Sequence, residues 1–167
     1  MKILVLGNMR DLQTGLYIVQ SIEELGHYAE FIDTRALVVD NGIQPGQALI
    51  LKEIKEADFV PDIIIVLKGL EMTYETTKAV KEMFPKAKFT NWFFDVYLAN
   101  AKIWKNDKFA KVIKLYDYFM CSLKGVADHM QIAGFKNAIH IPEACNYLAI
   151  TLQQHFNTNL RLCCYKL

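Results

Sequence analysis

Short apolar runs that alternate with helical patterns are the feature that most constrains the fold of this chain. Six runs have the length of strands, and several are continuously apolar, as in strands covered on both faces. They are KILVLG (2–7), HYAEFID (27–33), DIIIVLK (62–68), KFTNWFFD (88–95), YDYFMCS (116–122) and NAIHIPE (137–143). Strands that alternate with helices form right-handed β-α-β crossovers. We therefore expect a Rossmann-like three-layer α/β/α sandwich with a mostly parallel sheet of about six strands.

Apolar residues at helical spacing occupy most of the segments between these runs. The stripes are Leu12, Leu16, Val19 and Ile22; Thr76, Ala79, Val80, Met83 and Phe84; Phe109, Val112, Ile113 and Tyr116; Val126, Met130 and Ala133; and a weaker pattern at about 46–57. Asp11, Thr73 and Ser122 are candidate N-caps, while Gly26 and Gly134 are candidate helix stops.

The length of 167 residues predicts one domain. The sandwich pattern occupies residues 1–146, and residues 147–167 form a tail in which Leu148, Leu152 and Phe156 indicate a short helix that packs back on the sheet. No run reaches the roughly 20 apolar residues of a membrane span, and the apolar run at the start is too short for a signal-peptide core. We therefore expect a cytoplasmic protein.

The net charge of +1 gives no electrostatic reason to expect a nucleic-acid partner. None of the four cysteines has the spacing of a zinc site, and the four histidines are scattered, so the sequence predicts no metal site. Cys121 lies in an apolar run and is interpreted as a core thiol.

Polar residues follow the predicted strands at the points where the strands end. They are Gly7, Asn8 and Arg10; Lys68, Gly69 and Glu71; Asp95; Ser122 and Lys124; and Glu143. Since the carboxyl ends of parallel strands share one rim, we expect these residues to line a ligand crevice there. Structural explanations stay open for each of them: Gly7 for a tight turn, Ser122 for a helix cap, Asp95 for hydrogen bonds within its own loop. Tyr97 offers a stacking face for a sugar ring or packs in the core.

The loop GNMRDLQTG, at residues 7–15, lacks both the dinucleotide fingerprint and the lysine of a P-loop. A helix that begins near Asp11 exposes backbone amides that bind anions, but the Asp11 carboxylate opposes this. The sequence therefore predicts no nucleotide cofactor in this loop.

Three segments resemble the N-terminal domain of GT-B glycosyltransferases, most closely the spore-maturation-protein (CgeB-like) group: PDIIIVLKG, NWFFD and LYDYFMCSLKGVADHMQIAGFKNAIHIPEACN. The matching residues are Pro61-Asp62 and Lys68-Gly69; Asp95; Tyr116-Asp117, Ser122, Lys124 and Gly125; Gly134-Phe135-Lys136-Asn137; and Pro142, Ala144 and Asn146. The likeness covers roughly residues 1–146.

This resemblance implies transfer of a sugar from a nucleotide-sugar donor, UDP- or GDP-linked, in a cleft between two Rossmann-like domains. The N-terminal domain holds the small-molecule or glycan acceptor, with Asp95 as the base or acceptor-orienting residue. The rim residues, together with Tyr97 and Asn146, line the acceptor side. No second domain follows Asn146 in this sequence, so we expect this chain to lack the donor site and to act only with a second domain or chain.

Two other interpretations stay open. One is a stand-alone Rossmann-like binding or regulatory module, although Lys68 occupies the strand end where a response regulator needs an aspartate. The other is a homodimer formed through apolar residues at the rim: Leu70, Met72, Val96, Tyr97 and Leu98.

Overall fold

The computed structural model describes residues 1–9, 14–94 and 107–142, which form six strands and six helices. In chain order these are β1 (Lys2–Gly7), α1 (Thr14–Glu24), β2 (Tyr28–Asp33), α2 (Thr34–Asn41), α3 (Ile43–Glu56), β3 (Ile63–Leu67), α4 (Tyr74–Met83), β4 (Lys88–Phe93), α5 (Asp107–Ile113), β5 (Tyr118–Cys121), α6 (Lys124–Ile132) and β6 (Ala138–His140).

The strands form one sheet in the order β2-β1-β3-β4-β5-β6, and every neighbouring pair is parallel. At its centre, Leu6 of β1 lies opposite Ile32 of β2 and Val66 of β3. The predicted Rossmann-like architecture is therefore confirmed, with all six carboxyl ends on one rim of the sheet.

Alternate side chains of the strands divide the core between the two faces of the sheet. One face, the broad face, contributes Leu4, Leu6, Ile64, Val66, Phe89, Phe119 and Ala138, which cluster with residues of α3, α4, α5 and α6. The other face, the α1 face, contributes Ile3, Val5, Ile63, Ile65, Leu67 and Trp92, which cluster with residues of α1. Both faces are apolar, which explains why the strand sequences are continuously apolar.

Polar side chains bind the strands together at the amino edge of the sheet, opposite the rim. The Asp62 carboxylate accepts a hydrogen bond from the backbone N–H of Lys2 at 2.7 Å. Asp117 does the same for the N–H of Phe89 at 2.9 Å. The amide of Asn137 donates to the carbonyls of Ile113 and Tyr116, at 2.9 and 3.0 Å. These three residues, which belong to the resemblance, therefore have structural functions.

A helix that the sequence pattern did not predict, α2, follows β2 directly. The carboxylate of Asp33 caps it by accepting from the N–H of Ala36 at 2.7 Å. Gly42, with φ of +85°, separates α2 from α3, which begins earlier than the predicted residue 46. The pattern missed α2 because Thr34 is its one buried residue, so it presents no apolar stripe.

The ends of other elements also differ from prediction. β1 spans the same residues as its predicted run, 2–7, whereas the other five strands are shorter than their runs. Thr73 caps α4 as predicted, and Gly26 and Gly134 follow α1 and α6 with positive φ. Ser122 does not cap α6, since Leu123 occupies the N-cap position without a side-chain hydrogen bond.

Two predicted features lie outside the described residues: the cap at Asp11 and the tail at 147–167. Within the described ranges, no helix is both long enough and apolar enough to cross a bilayer.

Candidate functional site

A cleft opens at the rim where β1, β3 and β4 end beside α1 and α2. Its described walls enclose about 60 Å³ and consist of Asn8, Thr14, Gly15, Arg35, Leu67, Lys68, Leu70, Glu71 and Phe94. The structure thus brings together three of the predicted site residues, Asn8, Lys68 and Glu71. The volume is well below the roughly 300–1,000 Å³ of pockets that enclose a drug-sized ligand. The cleft therefore suits one small polar group or the end of a longer ligand.

The loop from β3 to α4 forms the floor of the cleft and has an unusual backbone. Lys68 and Gly69 both have positive φ, at 59° and 71°. The side-chain amide of Asn91 donates to the Lys68 carbonyl at 3.0 Å, and the Lys68 N–H donates to the Trp92 carbonyl at 3.0 Å. A Cβ on Gly69 would lie 2.7 Å from the Val66 side chain, so only glycine fits there. This backbone turns Lys68 toward the cleft.

A buried glutamine fixes the second half of the same loop. The Gln47 side chain, on α3, donates to the Glu71 carbonyl at 2.8 Å and accepts from the Thr73 N–H at 3.0 Å. Thr73 in turn caps α4 by accepting from the N–H of Thr76 at 3.2 Å. The loop is therefore held by α3 at its end and by β4 at its start, and its cleft-facing side chains are preorganised.

Glu71 supplies the carboxylate of the cleft. Its side chain is half-buried and accepts a hydrogen bond from the hydroxyl of Thr34 at 2.5 Å. The same hydroxyl lies 3.4 Å from the carbonyl of Gly7, and Thr34 is completely buried. Because one hydroxyl hydrogen bond does not saturate a carboxylate, Glu71 retains acceptor capacity for a ligand hydroxyl.

Two cationic side chains line the cleft together with this carboxylate. The Lys68 ammonium lies 4.6 Å from the centroid of the Phe94 ring, within the range of a cation–π interaction. Arg35, on the first turn of α2, is exposed and also lines the cleft. The cleft therefore combines hydrogen-bond donors, an acceptor and an aromatic ring, a combination that fits a polyhydroxyl compound or a small anion.

Gly7 and Gly69 shape the cleft and are not among its lining residues. Both are buried, and a Cβ on Gly7 would lie 2.8 Å from the Leu67 Cβ, so β1 and β3 approach closely at the rim. These two predicted substrate-binding residues have a structural function in the described site.

Ser122 and Lys124 also lie apart from the lining residues. The Ser122 hydroxyl donates to the Phe94 carbonyl at 3.0 Å and so connects the ends of β4 and β5. Lys124 is 72% exposed in its side chain and pairs with Asp128, on the next turn of α6, at 2.8 Å. Ser122 therefore supports a wall of the cleft, while Lys124 is engaged on its own helix.

The remaining predicted site residues lie outside the described residues. They are Arg10, Asp95, Tyr97, Glu143 and Asn146. Their roles stay predictions, including that of Asp95 as the base, although the preceding residue Phe94 is a wall of the cleft.

Thr34, Arg35, Gln47 and Asn91 are among the residues of the site that were not predicted. Thr34 and Arg35 follow directly after the end of β2, so the rim argument would have included them had that strand end been counted. Asn91 was visible as the one amide inside an apolar strand. Gln47 gave no signal, because its partners are 24 and 26 residues distant along the chain.

Two titratable groups of the broad face have raised pKa values. Burial raises the pKa of the Cys121 thiol to about 12, which favours the neutral thiol at neutral pH. Burial also raises the pKa of Tyr116, whose hydroxyl lies near Gly69 below the loop. Among the described residues, no three histidine, cysteine, aspartate or glutamate side chains lie close enough together to bind a metal ion.

The chain was compared with models of protein families and with curated proteins. Neither comparison finds a match.

Proposed function

We propose that this chain is the acceptor-side domain of a glycosyltransferase. The observation that carries the proposal is the polar cleft at the carboxyl rim, which is lined by Asn8 and by Lys68 and Glu71 of the preorganised loop from β3 to α4. The resemblance of the strand ends to the N-terminal domain of GT-B enzymes supports the same interpretation.

In this proposal the acceptor enters the cleft with a hydroxyl directed at the rim. The Glu71 carboxylate accepts a hydrogen bond from the acceptor, while Lys68 and Asn8 donate to its oxygens. Asp95 takes the proton of the attacking hydroxyl, whose oxygen bonds to the anomeric carbon as the nucleoside diphosphate leaves. The transferred sugar and the nucleotide are bound by a second domain or a second chain.

The small size of the cleft supports the assignment of the donor to a second domain or chain. About 60 Å³ between the described walls accommodates part of a sugar and leaves no room for a nucleotide sugar as well. The chain alone is therefore proposed to bind acceptors weakly and to have no transferase activity.

A second candidate function is a stand-alone binding module for a small polar ligand. It is favoured by the small volume of the cleft, about 60 Å³, and by the polar side chains of Asn8, Lys68 and Glu71 that line it. The homodimer interface expected at the rim loses one of its members, because Met72 is 5% exposed and belongs to the core. Leu70, at 51%, is exposed. Val96, Tyr97 and Leu98 lie outside the described residues.

The test is a thermal-shift panel of free saccharides and of UDP- and GDP-sugars. We expect saccharides to raise the melting temperature of the wild type and nucleotide sugars to add nothing beyond their sugar. Glu71→Gln should abolish the shift. Glu75→Gln, an exposed change in the first turn of α4, is the matched control and should retain it.

Stabilisation by the nucleotide part of the donor would contradict the division between the two domains. A saccharide shift that survives Glu71→Gln would place the acceptor site elsewhere. If only non-sugar anions stabilise the protein, the binding-module function replaces the glycosyltransferase proposal.

A further inference from the structure

Positive charges outnumber negative charges on the described walls of the cleft. The walls carry two cations, Arg35 and Lys68, and one carboxylate, Glu71, so the net charge of the described lining is +1. All three side chains border the same volume of about 60 Å³, and one ligand group placed there interacts with each of them. The described part of the cleft therefore attracts a ligand that carries a negative charge.

Two acidic side chains at this rim are already engaged by groups of the protein. The Glu71 carboxylate accepts the hydrogen bond of the Thr34 hydroxyl at 2.5 Å. The Asp33 carboxylate accepts hydrogen bonds from two backbone N–H groups, at 3.1 and 2.7 Å. Neither carboxylate forms an ion pair with Arg35. The acidic groups described at the rim therefore leave the charge of Arg35 unneutralised by direct contact.

Arg35 is the cation whose geometry suits an anionic ligand best. Within residues 1–9, 14–94 and 107–142, its guanidinium has no hydrogen-bond or ion-pair partner. Lys68, in contrast, already makes a cation–π contact with Phe94, at 4.6 Å from the ring centroid. A guanidinium presents a planar fork of N–H donors that matches two oxygens of a carboxylate or phosphate group.

We propose that the acceptor is an acidic saccharide whose carboxylate or phosphate group binds the Arg35 guanidinium. This inference rests on the proposed acceptor function of the cleft and adds the chemical class of the acceptor. The Lys68 ammonium strengthens the attraction through its charge. The Glu71 carboxylate accepts a hydrogen bond from a hydroxyl of the same sugar. An acidic group and a hydroxyl on one small ring therefore match the charged groups of the described walls.

Glu71 also disfavours anions that carry no hydroxyl groups. Such an anion meets the negative charge of the carboxylate and offers it no hydrogen-bond donor in return. Repulsion of a wrong ligand contributes to specificity as much as attraction of the right one. An acidic saccharide should therefore bind more tightly than inorganic phosphate, although both are anions.

The test is titration of the ¹⁵N-labelled full chain with glucuronate and with glucuronamide. The two compounds have the same ring and nearly the same size, but only glucuronate is charged at neutral pH. We expect glucuronate to bind about ten-fold more tightly, which corresponds to one charge-assisted hydrogen bond. The side-chain Nε–H signal of Arg35 should shift with glucuronate. The chain has three arginines, and Arg35→Gln identifies this signal by its loss.

Three variants separate the role of Arg35 from a general effect of charge. Arg35→Gln should reduce the affinity ratio of glucuronate to glucuronamide to about two-fold, the share left to Lys68. Arg35→Lys keeps the charge but not the planar fork, so it should retain part of the ratio. Lys52→Gln is the matched control, because it removes an exposed cation of α3 that pairs with Glu56 outside the cleft. The ratio should be unchanged in this variant.

Two further probes identify the source of the acidic group. Tighter binding of glucose 6-phosphate than of glucuronate would assign a phosphate, and the reverse would assign a carboxylate; either result supports an acidic saccharide. Inorganic phosphate or UDP that binds more tightly than both saccharides would overturn the proposal, because the anion would then bind without any contribution from a sugar.

The outcomes distinguish this inference from the acceptor proposal on which it rests. Equal affinities of glucuronate and glucuronamide would overturn the inference and leave the acceptor proposal intact. A preference for glucuronate that survives Arg35→Gln, or an Arg35 signal that does not move, would also overturn it. If no saccharide, neutral or acidic, binds at the rim, the acceptor proposal itself fails.

Discussion

Gly69 is the position where a single methyl group should damage the cleft most. Its φ of +71° belongs to the left-handed region, where a side chain costs about 1–2 kcal/mol. A Cβ there would lie 2.7 Å from the Val66 Cγ1, and Val66 is fully buried and cannot retreat. Overpacking of this kind costs about 1–3 kcal/mol.

Alanine also restricts the unfolded chain, which offsets about 0.4–1 kcal/mol of this loss. We therefore expect Gly69→Ala to lower the free energy of unfolding by about 2–4 kcal/mol. The measurement is urea denaturation followed by circular dichroism, compared at constant m-value.

Two other glycines serve as controls that separate the cost of positive φ from the cost of the close contact with Val66. Gly134 has φ of +97° but open space around it, so Gly134→Ala should lose only the conformational cost of about 1–2 kcal/mol, reduced by the same offset of about 0.4–1 kcal/mol. Gly125 lies in the first turn of α6 in open space without positive φ, so Gly125→Ala should stabilise by about 0.4–1 kcal/mol. If Gly69→Ala costs no more than Gly134→Ala, the close contact with Val66 is wrong and the loop does not have the described backbone.

Three further predictions concern hydrogen bonds and burial. Thr34→Val removes the donor to the Glu71 carboxylate and should cost about 1.5–3 kcal/mol of unfolding free energy in urea, whereas Thr34→Ser should restore most of it; equal losses would contradict the hydrogen bond. Asp33→Ala removes the cap of α2 and should cost about 1–2 kcal/mol with faster amide exchange at the start of that helix, while Asp33→Asn retains an acceptor and should lose less. Burial raises the pKa of the Cys121 thiol from 9.0 to about 12. The contribution of this thiol to the free energy of unfolding is therefore complete below pH 9 and is lost as the pH rises toward 12. In a variant with the other three cysteines replaced by serine, the folded protein should resist thiol reagents at pH 8, and rapid labelling there would show that the thiol is not buried.

The fold could be predicted because its main signal is local. Strands such as β3, with the sequence IIIVL, are apolar on both faces, and this property directly indicates a parallel sheet covered on both sides. The helix α2 escaped prediction because it buries little of its surface, and its cap, Asp33, is the last residue of an apolar run.

The candidate site could be predicted in part for a topological reason. Lys68 and Glu71 follow a recognisable strand end, so the parallel sheet places them at the rim. The hydrogen bonds of Thr34 and Gln47 join residues 24 to 37 positions apart, and no local pattern reports such pairs. Thr34 and Gln47 nevertheless hold the loop on which the predicted residues lie.

The resemblance to GT-B domains reflects the amino edge as much as the rim. Asp62, Asp117 and Asn137 contribute to it, and all three hold neighbouring strands or turns in place. Lys68 and Gly69, in contrast, build the cleft. A similar set of edge residues is compatible with different ligands at the rim, so the acceptor has to be identified by binding experiments.

The polar rim between β1, β3 and β4 is proposed to bind a polyhydroxyl acceptor. Amide chemical shifts of the ¹⁵N-labelled full chain during titration with free saccharides test this claim most directly. We expect saturable shifts at Asn8, Arg35 and Lys68 to Glu71, with the amino-edge residues Asp62 and Asp117 unchanged. Saturable shifts that cluster at the amino edge, or no shift at the rim with any saccharide, would contradict it.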